Sequence, residues 1–160
     1  KLSETTFKTL EITKNTDFNF QYVSLPGGTE VTVEPAKNKW EIQWTWSMYY
    51  MAGATPVPYS FSDLVFINTL GGVTAAEVLT STVSYDNYSK TNISTTTFKN
   101  NYDVIGSNWR ATTGTIGVKT DRFYVIKDAS GNVYKLKFLN FHASDGGERG
   151  KPRIEYKLVQ

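Results

Sequence analysis

The chain has 160 residues and a mass of 18.0 kDa, the size of one domain or at most two small ones. Its 17 Lys and Arg nearly cancel its 15 Asp and Glu, so it lacks the dense basic footprint of a nucleic-acid binder. With no Cys and one His, the chain has no disulfide, no thiolate nucleophile, no iron–sulfur cluster and no two-His metal site of its own.

Two further features set the class. No apolar run approaches the roughly 20 residues of a membrane-spanning helix, while a hydrophobic fraction of 39% suffices for a packed core. Four Trp, ten Tyr and nine Phe supply either a β core or a flat apolar pocket. Residues that build surfaces outnumber those that do chemistry, which favours binding over catalysis.

The start at Lys1, without initiator Met or apolar leader, reads as a processed or trimmed form, and residues 1–6 are expected to fray. Period-two alternation follows. Phe18, Phe20 and Tyr22 predict a half-buried strand, Pro26-Gly27-Gly28 a turn, and residues 30–33 a short strand. Trp40, Ile42, Trp44, Trp46, Met48 and Tyr50 share one parity, predicting a long strand with that face buried. Residues 53–58, with Pro56 and Pro58, read as a loop that cannot pair centrally. A strand is expected at residues 64–67.

The stretch 74–79 predicts one short helix, because Thr74 and Glu77 have capping-box spacing. Residues 80–101 are rich in Ser, Thr and Asn and read as a long polar loop or floppy hairpin. Residues 123–126 and 133–141 flank Lys127-Asp128-Ala129-Ser130-Gly131-Asn132 as a hairpin. Ile154, Tyr156 and Leu158 alternate in a closing strand. The expected architecture is all-β, one domain of antiparallel sheets over residues 1–160 with long ligand-gripping loops.

No catalytic motif survives inspection. Glu41 and Asp63 form no acid pair of defined separation. The Asp145-Gly146-Gly147-Glu148 run lacks the alternating oxygen ligands of a calcium loop. His142 follows a strand and reads as a surface histidine, with metal ligation as the rival role. Met48 has core parity, whereas Met51 lies at a strand end where it could reach a ligand. The chain is read as no enzyme.

The ordered set of motifs resembles one family. Asp121-Arg122-Phe123-Tyr124-Val125-Ile126, Asp128-Ala129-Ser130-Gly131-Asn132 and Lys135-Leu136-Lys137-Phe138 resemble the HmuY family of Bacteroidetes, as do Lys39-Trp40-Glu41-Ile42 and Ser62-Asp63-Leu64-Val65-Phe66-Ile67-Asn68 with Leu70-Gly71-Gly72-Val73. The resemblance implies a hand-shaped all-β fold that grips haem between long loops. It also implies a lipoprotein at the outer membrane, or shed from it, that passes haem to a TonB-dependent receptor.

The family's iron ligands are His or Met pairs from two loops. The corresponding stretches here, residues 83–97 and 109–117, contain neither type. Their nearest residues, Tyr85, Tyr88, Trp109, Thr112 and Thr113, form the expected loop pocket, with Met51 and His142 as lesser metal-ligand candidates. A Tyr phenolate can ligate haem iron if its pKa falls well below about 10. Two alternatives stand beside haem capture: a diverged member holding another tetrapyrrole or a peptide, and a carbohydrate-binding β module. For the latter, Trp109 is the residue free to stack on a sugar, since the parity of Trp40, Trp44 and Trp46 reads as core.

Overall fold

Ten strands dominate the computed structural model, which describes residues 7–51 and 55–160, with the backbone alone at Met51. The expectations for residues 1–6 and for the Met51 side chain lie outside the described residues. Strands β1 (Tyr22–Ser24) and β2 (Thr29–Val31) form a hairpin around the Pro26-Gly27-Gly28 turn. Asn68 ties the N-terminal region to the body: its Nδ2 donates to the Lys37 and Trp40 carbonyls at 2.7 and 2.9 Å, and its Oδ1 accepts from Asn19 Nδ2 at 2.9 Å.

The centre is a four-stranded antiparallel sheet. It is ordered β10 (Arg153–Leu158), β9 (Val133–Asn140), β8 (Arg122–Lys127) and β5 (Thr74–Leu79). Period-two alternation gives it two different faces. One face presents Ala75, Tyr124, Ile126, Leu136 and Phe138 to Val65, Ile67, Ile105, Trp109 and Phe141. The other presents Phe123, Val125 and Val133 to Tyr85 and Tyr88 of the polar segment. Full burial of each such side chain contributes about 1.5–3 kcal/mol.

Thr74–Leu79 is therefore a strand, correcting the helix expected there. The Ala-Ala-Glu-Val-Leu run favours a helix locally, but pairing with β8 over its whole length wins. The one α-helix among the described residues is α1 (Lys90–Ile93), inside the segment expected to be floppy. That segment is instead a lid, pinned by its few aromatic side chains.

Strands β3 (Ile42–Met51) and β4 (Val57–Ile67) form a long two-stranded arm. Pro58 lies within β4 opposite Tyr50, where a loop was expected; a two-stranded ribbon leaves an outer edge that needs no N–H donor. At the base Ile42 packs on the core and the Trp44 ring meets Trp109 at 5.2 Å. Towards the tip the same face is bare: Trp46, Met48 and Tyr50 are 69%, 67% and 66% exposed. The buried aromatic face expected for this strand is thus corrected. Alternation along β3 holds, but its pairing with β4 shifts register between Thr45 and Ser47, and from there to the tip Thr45, Ser47 and Tyr49 on the opposite face are the less exposed side chains.

Two short strands, β6 (Arg110–Ala111) and β7 (Gly117–Val118), complete the fold. Gly117 adopts a φ of 148°, and a Cβ there would sit 3.2 Å from the Asp145 Cβ, so close approach and backbone conformation both favour glycine. The Asp145 carboxylate accepts from the Phe141, His142 and Val118 amides at 3.1, 2.9 and 3.0 Å. It closes the C-terminal loop rather than offering itself to calcium.

Candidate functional site

Strand β5 is an edge of the central sheet, and the chain uses that edge twice. At Ala75 it is closed by Lys99, with amide-to-carbonyl bonds of 3.0 and 2.8 Å in both directions. Beyond Ala75 the edge opens into a cleft of about 810 Å3, walled by the lid on one side and residues 101–108 on the other. Its lining is mostly polar, including Asn92, Thr95, Thr97, Lys99, Asn101 and Asp103.

Glu77 organises the cleft's floor. Its Oε2 accepts from Arg122 at 3.1 Å, from the Tyr124 hydroxyl at 3.3 Å and from the Asn108 amide. Asp121 and Glu77 hold the Arg122 guanidinium charged well above its usual range. Such a lining offers hydrogen bonds to hydroxyl and amide groups. It does not fit haem well, since porphyrin faces are apolar and no His or Met lines the cleft.

The sequence-predicted residues are spread over three places. Tyr88 lines the cleft, but its ring is buried against Phe123 and its hydroxyl is 2.6 Å from Thr96 Oγ1. Tyr85 is buried beside it, over Phe123. Burial raises both phenol pKa values, Tyr85 to about 12 with help from the nearby Glu155 charge. Both are neutral phenols at ordinary pH.

Trp109, 1% exposed, is a core residue stacked on Phe138, and its Nε1 donates to the Asp63 carbonyl at 3.1 Å. This corrects the expectation that it is free to stack on a sugar. Thr112 and Thr113 are exposed in the bend joining β6 to β7. His142 is half-buried; its Nδ1 accepts from the Ser144 amide at 3.1 Å and caps a 3-10 turn. Among the described residues no cluster of three His, Asp or Glu side chains forms a metal site.

The exposed aromatic face of the arm was not foreseen, although its parity was plain. Trp46, Met48 and Tyr50 stand on one face, with Ser60 and Pro58 opposite Met48 and Tyr50 on β4. On the other face Tyr59 and Tyr49 meet Phe61 edge-on, and Tyr49 donates to Asp103. Alternation shows which side chains share a face, but not where the covering layer stops.

A family model described as HmuY protein matches residues 2–156, nearly the whole chain. No curated protein and no solved structure matches it.

Proposed function

The chain belongs to the HmuY family, whose members bind haem, and from that premise we propose that it is a non-enzymatic haem-capturing protein of the cell surface. It takes haem as cargo, either as an outer-membrane lipoprotein or after shedding, and yields it to a TonB-dependent receptor. Family membership across residues 2–156 carries this reading. Among the described residues no helix is long and apolar enough to cross a membrane.

The mode of capture departs from a His pair, because the chain has one His. Apolar contact with aromatic side chains supplies most of the affinity, and a complex near 1 μM needs only about −8 kcal/mol. The test is a titration with haemin, oxidised and then reduced with dithionite, following the Soret band. A saturable shift at about one equivalent supports haem capture; a spectrum equal to that of free haemin rejects it.

The polar cleft favours a second reading. Its amide, hydroxyl and carboxylate lining suits a polyhydroxylated ligand such as an oligosaccharide. Retarded migration in a glycan-containing gel supports this reading, and unaltered migration across a glycan panel rejects it.

A further inference from the structure

Met48 stands where few methionines do: two-thirds exposed, on a strand, between two equally exposed aromatic residues. Single exposed apolar side chains are ordinary. Three large ones at consecutive same-face positions make a contiguous patch, which marks a binding surface. Same-face neighbours on a strand are about 7 Å apart, so Trp46 and Tyr50 flank the Met48 thioether on either side. That is an apolar platform with a soft ligand at its centre.

We infer that haem docks on this face of the arm, with Met48 Sδ donating a lone pair to ferrous iron and Trp46 and Tyr50 packing under the macrocycle. The inference rests on the haem-capture reading and assigns its site. Thioether sulfur is an established haem ligand, the aromatic rings supply apolar area, and a flexible Met adapts to the ring it meets. The bond is dative and leaves the oxidation state unchanged. Three of the other candidates are engaged elsewhere: Tyr85 is buried over Phe123, the Tyr88 hydroxyl meets Thr96, and His142 Nδ1 accepts from Ser144. The base of the arm is fixed by the Trp44–Trp109 contact, so the platform sits on a rigid root.

The experiment is a Soret titration of the whole chain with haemin and with dithionite-reduced haem, comparing wild type, Met48→Leu and Met48→His. Met48 is exposed, and equal circular dichroism spectra will show that the variants fold. The expected result is a reduced-state shift in wild type, weakened about tenfold or more by Met48→Leu. Met48→His is expected to give imidazole-type bands in both oxidation states. If Met48→Leu titrates as wild type does, the placement on the arm is wrong and haem capture stands. If wild type itself shows no shift, both are overturned.

Discussion

The Lys135 Nζ donates to the Tyr85 carbonyl at 2.6 Å, across 50 residues of sequence. The same ammonium also reaches the Tyr88 and Asp86 carbonyls, at 3.0 and 3.2 Å, and lies 4.8 Å from the Tyr85 ring centroid. A charged side chain from the central sheet thus holds the polar lid by its backbone. Burial pushes the Lys135 pKa down, so the three carbonyls must stabilise an ammonium that water cannot reach well.

Replacing Lys135 by Met keeps the stem and removes the donors. The buried Tyr85 and Tyr88 carbonyls then lose their partner, as does the half-buried Asp86 carbonyl, which is expected to cost about 2–3 kcal/mol, or about 5–10 °C in Tm. Thermal unfolding followed by circular dichroism checks this; an unchanged Tm would mean that the lid is held by its aromatic side chains alone.

Arg110 and Asp63 form a second buried pair. The Arg110 Nε lies 3.6 Å from Asp63 Oδ2, both side chains are almost fully buried, and the guanidinium sits over Phe61, Trp109 and Phe141. Arg149 approaches the same oxygen at 3.6 Å from the surface. Asp63→Asn strands the Arg110 charge and is expected to destabilise by about 3–5 kcal/mol. Arg110→Met with Asp63→Leu should recover most of that loss. Chemical denaturation of the single and double variants decides, and a double variant no better than Asp63→Asn would refute the pairing.

Acid stability should depend on Asp145. Burial alone would raise its pKa, but amides of His142, Phe141, Val118 and Gly147 together hold it below the usual value. A depressed carboxylate contributes stability above its unfolded pKa of about 4, lost as pH falls through the lower folded value. Asp145→Asn is therefore expected to lower stability at neutral pH and to flatten the acid limb. Identical acid limbs in the two proteins would contradict this role.

At the alkaline end the sign reverses. Tyr49, by donating to Asp103 and by burial, and Tyr85, by burial, have phenol pKa values pushed up to about 12. Each contributes stability that is complete below the unfolded value of about 10 and lost as pH rises towards 12. Ultraviolet titration should show these two phenols ionising after the exposed tyrosines, with Tyr124, which burial raises further still, later again, and Tyr49→Phe should make alkaline unfolding less steep. Ionisation of every Tyr near pH 10 in the folded protein would exclude it.

What the sequence disclosed follows how local each determinant is. The β8–β9 hairpin was legible because its turn is self-contained: Asp128 Oδ1 accepts from the Ser130 and Asn132 amides at 2.9 and 2.8 Å. Thr74–Leu79 was misread because its fate rests on β8, which lies far along the chain. The lid looked floppy because Tyr85, Tyr88 and Phe98 follow no regular period, yet all three settle on the sheet. Trp46, Met48 and Tyr50 were read as core because parity alone does not show what lies above a face. The tyrosines of the expected loop pocket were visible as candidates, but their burial was not.

The crossing from β5 to β8 also sets how the chain must fold. Leu79 pairs with Arg122, so the whole 80–121 stretch has to be looped out before the central sheet can close. Loop closure of that length is an entropic toll that local hairpins avoid. The β8–β9 hairpin, closed by its own Asp128 turn, is the natural nucleus. In stopped-flow experiments Asp128→Ala should slow refolding, whereas Tyr88→Phe, in the late-docking lid, should chiefly speed unfolding. The lid would then be the last part of the chain to arrive and the first to leave.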